Sequence, residues 1–305
     1  MPAEQGVVLQ GTGGVWAVRT VSGVTREASM RGRLKRDPDA PLKLAVGDQV
    51  MVEQEARGDS WVIAEILPRR SVLARRSPGG GPGERVVAAN IDQVIVVFAA
   101  ANPEPHPRML DRFLVIAEAN DLAARVVVNK VDLIDEVTLR DGGRFADYPR
   151  AGYPLHFTSA RTGNGLDELA AALHGRTSAL SGPSGVGKSS LLNALYPGLD
   201  LRVGAISESV NKGRHTTVGA LLHPLPDGGY VADTPGLREV GVWGIEPDSL
   251  DQCFPEFRPY LGECRFADCR HIVEPGCAVR AAVASGAVSA ARYDSYRTLR
   301  DELKA

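Results

Sequence analysis

A glycine-rich loop in the second half of the chain sets its fold class. Residues 182–189 read Gly-Pro-Ser-Gly-Val-Gly-Lys-Ser, between a strand-like run over 177–181 and a helix-like run that opens at Ser190. In that strand–loop–helix context the glycines let backbone N–H groups converge on an anion at a helix N-terminus. The pattern predicts an α/β domain with a phosphate site made by Gly182, Pro183, Ser184, Gly185, Val186, Gly187, Lys188, Ser189 and Ser190.

Two further motifs precede this loop and predict a guanine site. Asn129-Lys130-Val131-Asp132 ends a buried-strand pattern, and Thr158-Ser159-Ala160 follows a short apolar strand. The Asp132 carboxylate can accept hydrogen bonds from the N1–H and the N2 amino group of guanine, and adenine offers neither in that geometry. Asn129 would steady the loop and the base, and the stem of Lys130 would cover the ring face. Backbone N–H groups of Thr158, Ser159 and Ala160 would support the base from behind.

The remaining motifs predict how the triphosphate is held. Lys188 is expected to reach the β- and γ-phosphates, and the Ser189 hydroxyl to bind Mg²⁺. Asp233, in Asp-Thr-Pro-Gly, would hold Mg²⁺ through water, and the Gly236 N–H would contact the γ-phosphate. Thr216 or Thr217 would close over both. The predicted cofactors are GTP or GDP and Mg²⁺, and the predicted activity is GTP hydrolysis.

The motifs come in an unusual order, because in an ordinary small GTPase the phosphate loop precedes N-K-x-D. The parts can still meet around one nucleotide if the domain is circularly permuted. Leu237 follows Gly236, and a leucine cannot orient an attacking water. Slow hydrolysis, a group supplied by a partner, or another residue must account for turnover. His215 is our preferred catalytic residue, and a surface histidine is an equally good interpretation.

All four cysteines lie between Cys253 and Cys277. Three thiolates and one imidazole match a closed, tetrahedral structural zinc site, with the ligands Cys264, Cys269, His271 and Cys277. Cys253 is surplus. One Zn²⁺ would contribute folding free energy to a region with a small core. The alternative is a set of buried free cysteines beside a surface histidine.

Strand and helix patterns predict three domains. Four β-rich runs begin at Gly6, Val15, Gln49 and Trp61, and they suit an OB-fold barrel, a fold that commonly binds oligonucleotides. The residues from Arg75 to Gly83 contain too many glycines and prolines for a helix or a strand. Beyond them, strands alternate with helices, which predicts a parallel sheet with helices on both faces, and the apolar run over 93–100 predicts a strand buried on both faces. The predicted divisions are an OB-fold RNA-binding domain (1–72), a linker (73–85), a permuted GTPase domain (86–244) and a mostly helical zinc domain (245–305).

Charge and hydropathy add little by themselves. The formal net charge of −2 does not indicate a nucleic-acid partner, so an RNA surface must be local. The candidates are the loop Arg31–Arg36, the pair Arg69-Arg70 and the pair Arg75-Arg76. No run of about 18 apolar residues exists, and the N-terminus does not resemble a signal peptide. We expect a cytoplasmic monomer without a membrane partner.

With these residues in place, the chain resembles the circularly permuted, ribosome small-subunit-dependent GTPases of bacteria, the RsgA/YjeQ type. The resemblance covers nearly the whole chain, and its most specific features are the permuted order, Gly-Arg-His-Thr-Thr at 213–217 and the zinc spacing. It implies an OB-fold, a permuted GTPase domain and a zinc domain. It also implies binding to the small (30S) ribosomal subunit and its rRNA, with subunit-stimulated hydrolysis during late 30S maturation.

Several alternatives stay open. The protein could be a GTPase of the large subunit or of a free RNA, or an RNA-binding module whose nucleotide site is only structural. A P-loop kinase is a further possibility that N-K-V-D disfavours. Because the chain runs from Asp233–Gly236 directly into the zinc region, we also expect the nucleotide state to reposition that region.

Overall fold

The computed structural model describes residues 3–32, 43–55, 59–76, 84–135, 137–138, 141, 143–199, 201, 220–233 and 245–304, with only the backbone described at residues 75, 76, 84, 85, 233 and 304. These residues fall into two compact units. One draws on the ranges 1–93, 172–180 and 205–237, and the other on 94–171, 181–204 and 238–305.

The first unit contains a closed barrel of five strands. They are β1 (Glu4–Thr12), β2 (Val15–Thr20), β3 (Thr25–Met30), β4 (Gln49–Gln54) and β5 (Trp61–Ile66), in the order β1-β2-β3-β5-β4. Val8, Val18 and Val50 are completely buried inside it. Gly13 and Gly14 join β1 to β2 with φ angles of 61° and 86°, as a two-residue hairpin turn requires. The predicted OB-fold-like barrel is confirmed, and β3 is the strand that the sequence patterns did not locate.

A two-stranded sheet follows the barrel. Strand β6 (Val72–Arg76) pairs antiparallel with β7 (Glu84–Ala89), from Val72 opposite Ala89 to Arg76 opposite Glu84. The prediction that the segment beginning at Arg75 holds no strand is therefore wrong. The glycines and prolines are confined to residues 78–83, so every flanking residue keeps the backbone N–H that a ladder needs. The domain boundaries at 72 and 85 stay predictions.

Six strands build the α/β part of the chain: β8 (Gln93–Ala99), β9 (Ala123–Asn129), β10 (Leu155–Phe157), β11 (Thr177–Ser181), β12 (Leu221–Pro224) and β13 (Tyr230–Asp233). The strand order is β10-β9-β8 in the second unit and β11-β13-β12 in the first. Strand β10 is parallel to β9 and β11 is parallel to β13, but β12 is antiparallel to β13. The predicted parallel sheet thus carries one antiparallel edge strand. Every residue of β8 is buried, as its apolar run predicts.

The helices are α1 (Pro107–Ala119), α2 (Asp147–Arg150), α3 (Leu166–Leu173), α4 (Lys188–Leu195), α5 (Ala278–Ala284) and α6 (Ala290–Lys304). In the described ranges, five 3-10 segments accompany them, over Val131–Leu133, Gly143–Phe145, Pro197–Leu199, Pro247–Cys253 and Pro255–Tyr260. Helix α1 begins with a proline, whose fixed φ suits the first helical position. Among the described helices, none is long and apolar enough to span a bilayer.

Within the second unit, the C-terminal region and α1 share one hydrophobic core. Tyr296 and Leu299 of α6 are buried in it together with Phe254 and with Val115 of α1. The rings of Phe254 and Tyr296 meet edge to face, with their centroids 5.5 Å apart, an arrangement that aromatic quadrupoles favour. Residues 245–304 therefore pack on α1 as part of the same compact body.

Candidate functional site

The glycine-rich loop has the conformation that its sequence predicts. Gly182, Gly185 and Gly187 have φ angles of 127°, 77° and 94°, which side chains rarely tolerate. Space is limiting as well, because a Cβ on Gly182 would lie 2.1 Å from the carbonyl oxygen of Val97. A Cβ on Gly187 would lie 2.6 Å from Nδ2 of Asn129. Glycine is thus required at both positions by the backbone and by its neighbours.

Lys188 lies along the inside of this loop at the start of α4. Its Nζ donates to the carbonyl oxygens of Gly182 at 2.7 Å and Pro183 at 2.6 Å. Lys188 and Ser189 are both buried. A buried ammonium group, a buried hydroxyl and a helix N-terminus together favour a bound anion with its cation.

Asn129 joins three of the predicted segments. Its Nδ2 donates to the carbonyl oxygen of Val186 at 3.0 Å. Its Oδ1 accepts the N–H of Ala160 at 3.2 Å and the hydroxyl of Thr158 at 3.4 Å. The side chain is 1 % exposed, so both ends of the amide depend on these partners.

Lys130 reaches the phosphate loop from the same motif. Its backbone is left-handed, with φ of 63°, a conformation that is uncommon outside glycine and is often found at functional sites. The Nζ group donates to the carbonyl oxygen of Gly185 at 2.7 Å and to that of Asn102. The side chain therefore spans from the predicted base site to the phosphate loop.

The Asp132 carboxylate has two partners. The Ser159 hydroxyl donates to Oδ1 at 2.6 Å, and Nε of Arg161 lies 3.0 Å from Oδ2. The Ser159 hydroxyl holds the pKa of Asp132 below its usual range, so the carboxylate is an ionised acceptor at neutral pH. The sequence patterns did not single out Arg161, although a basic residue directly after Thr158-Ser159-Ala160 was a visible signal.

Other predicted site residues lie outside the described part of the chain. These are His215, Thr216, Thr217, Gly236 and Leu237, and their roles stay predictions. For Asp233 the backbone alone is described, at the end of β13. Leu180 of β11 lies opposite Asp233 in the parallel register, so β13 ends at the level where β11 leads into the phosphate loop.

The four predicted zinc ligands form one cluster. Their ligand atoms all lie within 4.8 Å of one another. Sγ of Cys264 is 3.9 Å from Sγ of Cys277, and Nδ1 of His271 is 3.5 Å and 3.3 Å from these two sulfurs. Tetrahedral zinc with bonds of about 2.3 Å to sulfur and about 2.0 Å to nitrogen requires spacings of about 3.5–3.8 Å. The residues therefore fit zinc, and the alternative of a surface histidine is wrong because His271 is 2 % exposed.

Hydrogen bonds hold the backbone of the metal-binding loop, residues 264–277, which carries the four ligands. Burial alone would raise the pKa of Glu274, but backbone N–H groups of Arg270, Ile272 and Val273 donate to its carboxylate and lower the pKa to about 2. From α6, the hydroxyl of Tyr293 donates to the carbonyl oxygen of His271 at 2.6 Å. The Glu274 carboxylate and Tyr293 of α6 thus hold the backbone of this loop in place.

Cys253 stands apart from this cluster. It is 5 % exposed and belongs to the hydrophobic core, and its Sγ lies 3.7 Å from the carbonyl oxygen of Ser249. Burial raises the pKa of its thiol to about 12, so it stays protonated and unreactive.

The structure corrects one of the RNA candidates. Arg69 forms a two-pronged ion pair with Asp48, at 2.6 Å and 2.8 Å, and both side chains are buried. A buried carboxylate needs a counter-ion, and the Arg69 guanidinium supplies it inside the protein. The prediction that Arg69 contacts RNA is therefore wrong. Arg70 pairs with Asp92 but keeps 62 % of its side chain exposed. The described part of the basic loop ends at Gly32, and the side chains of Arg75 and Arg76 lie outside the described residues.

Known proteins match this chain over most of its length. The family model described as RsgA GTPase matches residues 66–243. The Small ribosomal subunit biogenesis GTPase RsgA of Gemmatimonas aurantiaca is 65% identical over 300 residues, which cover 98% of this chain and 97% of the relative. The protein of the same name from Chromohalobacter salexigens is 47% identical over 260 residues, 85% of this chain and 75% of its own length.

Two solved structures have the same fold. The crystal structure of YjeQ from Thermotoga maritima superposes with a TM-score of 0.83 at 37% identity, covering 100% of this chain and 99% of that one. YloQ, described as a circularly permuted GTPase, superposes with a TM-score of 0.78 at 29% identity, covering 99% and 96%. The permuted order of the nucleotide motifs agrees with the description of YloQ. The chain belongs to the RsgA family of circularly permuted GTPases.

Proposed function

We propose that this protein is a GTPase that binds the small (30S) ribosomal subunit and its rRNA, and hydrolyses GTP to GDP and phosphate during late maturation of that subunit. The observation that carries the nucleotide assignment is the contact of Asn129 and Lys130 with Val186 and Gly185, which joins the base motif to the phosphate loop. The names of the relatives supply the subunit.

The base end of the pocket selects guanine. Asp132 accepts from the N1–H and the amino group of the base, while Asn129 holds the loop and the Lys130 stem covers the ring. Thr158, Ser159 and Ala160 line the far side through their backbones. Ser159 contributes twice, because its hydroxyl also orients the Asp132 carboxylate.

The phosphate end is formed by Gly182 to Ser190. Backbone N–H groups of the loop bind the phosphates, and the ammonium group of Lys188 neutralises charge on the β- and γ-phosphates. The Ser189 hydroxyl and the Asp233 carboxylate are oxygen donors, which suit Mg²⁺. When bound, Mg²⁺ neutralises charge that develops on the phosphate oxygens during transfer. Thr216, Thr217 and the Gly236 N–H complete the contacts at the γ-phosphate.

We assign orientation of the attacking water to His215, because Leu237 offers no polar group. Single-turnover hydrolysis by a His215→Ala variant with normal GTP binding measures this role. A rate reduced at least tenfold supports it, and an unchanged rate removes His215 from the mechanism.

The flanking domains provide the contact with the subunit. The barrel (1–72) is the RNA-binding domain, with Arg70 among its exposed cations, followed by the linker (73–85), the GTPase domain (86–244) and the zinc domain (245–305). One structural Zn²⁺ is held by Cys264, Cys269, His271 and Cys277. A ribosomal partner places the protein in the cytoplasm.

GTP hydrolysis with and without purified 30S subunits tests the proposal. We expect turnover to rise at least tenfold with 30S subunits, and Lys188→Ala to abolish it. Stimulation by 50S subunits alone would favour a large-subunit GTPase, and stimulation by protein-free rRNA would favour an RNA-dependent GTPase. Nucleotide binding without turnover under every condition would leave a structural nucleotide site.

A further inference from the structure

The histidine of the metal cluster has a second partner that faces away from the cysteines. Nδ1 of His271 points at the sulfurs of Cys264 and Cys277, and Nε2 lies 3.2 Å from Oδ2 of Asp251. The imidazole is almost completely buried, and 16 % of the Asp251 side chain is exposed. A metal on Nδ1 requires the proton of a neutral imidazole to be on Nε2, and that N–H then faces the carboxylate.

Asp251 is held in place independently of the metal-binding loop. It lies on the 3-10 segment Pro247–Cys253, and its Oδ1 accepts the backbone N–H of Gln252 at 2.8 Å. Leu250 and Cys253 on either side are buried in the hydrophobic core. The core therefore fixes the segment, and the second carboxylate oxygen is left directed at His271.

We propose that Asp251 is the positioning residue of the metal site: it accepts the Nε2–H of His271 and so keeps Nδ1 unprotonated and aimed at the ion. Carboxylate partners of this kind typically account for about 10- to 100-fold in metal affinity. The inference rests on the zinc assignment and is independent of GTP hydrolysis.

The first test measures zinc affinity by competition with a chromophoric chelator. We expect Asp251→Ala to weaken zinc binding by about 10- to 100-fold. Asp251→Asn should lose less, because its amide oxygen still accepts the Nε2–H. Asp268→Asn is the matched control, since Asp268 is exposed and lines the same surface cavity as Asp251, and the substitution also removes one negative charge. If the alanine variant binds zinc as tightly as the control, Asp251 has no such role.

A double-mutant cycle separates positioning from a general structural effect. In a His271→Cys background the site has four thiolates and no imidazole to orient, so Asp251→Ala should cost little or no zinc affinity. A loss of the same size in both backgrounds overturns the proposal. Cobalt substitution gives a second readout. The d–d bands of the Asp251→Asn protein should be shifted from those of the wild type, because the acceptor for the Nε2–H of His271 changes from a carboxylate to an amide.

Wild-type zinc content tells the possible failures apart. Wild-type protein without about one zinc per chain would remove the zinc assignment itself. Normal zinc content with a tight-binding Asp251→Ala variant would contradict only the role of Asp251.

Discussion

The side-chain amide of Asn129 donates to the backbone carbonyl of Val186 across 3.0 Å. This bond links two motifs that lie far apart in the chain and occur in reversed order relative to ordinary small GTPases. It explains why the permutation is tolerated, since the contact depends on where the two loops lie and not on which comes first.

The first prediction concerns this bond. Asn129→Ala removes the donor to the carbonyl oxygen of Val186 and the acceptor for the N–H of Ala160. Each buried backbone group that is left without a partner costs about 1–3 kcal/mol of free energy in the folded protein. We expect GDP affinity to fall by at least about tenfold, measured by titration with a fluorescent GDP analogue. Asn120→Ala is the control, because it removes the side-chain hydrogen bond to the carbonyl oxygen of Ile116 at the end of α1, outside the nucleotide motifs. Equal affinities for both variants would contradict the bridging role.

The second prediction is a pH dependence. The Ser159 hydroxyl holds the pKa of Asp132 below its usual range, so the ionised acceptor is present above that pKa and is lost as the pH falls through it. The contribution of Asp132 to GDP affinity should therefore be nearly constant from about pH 7 to 5. Ser159→Ala raises the pKa, and the loss of affinity should begin at a higher pH than in the wild type.

Arg161→Ala is the comparison for that experiment. Arg161 also pairs with Asp132, but 76 % of its side chain is exposed, and such pairs contribute little. Its profile should stay close to that of the wild type. Superimposable profiles for Ser159→Ala and the wild type would show that the hydroxyl does not control Asp132.

The third prediction concerns a buried arginine in the second unit. Arg292 of α6 donates to Asp111 of α1 at 2.6 Å and to Glu256 at 2.7 Å, and all three side chains are nearly inaccessible. Arg292→Met leaves two buried carboxylates without a counter-ion and should lower the free energy of unfolding by about 3–5 kcal/mol. Urea denaturation measures this. Arg297→Met, at an exposed position with only a 3.9 Å ion pair, should change it by less than about 1 kcal/mol.

This ion cluster also limits the repositioning of the zinc region that the chain order predicts. Separating residues 245–304 from α1 would break the Arg292–Asp111 pair and open a core that includes Val115. Such a movement should therefore carry α1 along with the zinc region. If Arg292→Met proved as stable as the wild type, this limit would not hold.

The fourth prediction concerns metal removal. The hydroxyls of Tyr293 and Tyr296 donate to the backbone of the metal-binding loop, at His271 and Arg270. Chelation should therefore lower the melting temperature and raise the exposure of these tyrosines, which near-ultraviolet circular dichroism detects. Cys253→Ala should keep about one zinc per chain, because Cys253 lies outside the cluster. Loss of zinc from that variant would contradict the ligand set.

The sequence was sufficient where a feature depends on neighbours in the chain. The phosphate loop follows from its glycines, β8 from its apolar run, and the metal ligands from spacing within one short loop. Each of these needs only local conformation or the periodicity of a single element.

Features that depend on tertiary partners could not be read in this way. Arg69 and Arg70 are equivalent in the sequence pattern. In the structure the buried Asp48 pairs with Arg69, whereas Arg70 stays largely exposed. Asp251 reaches His271 from a separate segment, and no spacing rule connects them. Strand β6 was missed because the glycine and proline content next to it concealed a pairing with β7.

Nucleotide titration of the wild type and of Asp132→Asn tests the central claim most directly. The wild type should bind GDP and GTP and bind adenine nucleotides at least about 100-fold more weakly, since adenine cannot donate twice to Asp132. The asparagine variant presents one donor and one acceptor, which match xanthine, so it should lose GDP affinity and gain XDP affinity. Equal binding of ADP and GDP by the wild type, or unchanged GDP affinity in the variant, would contradict a guanine pocket built on Asp132.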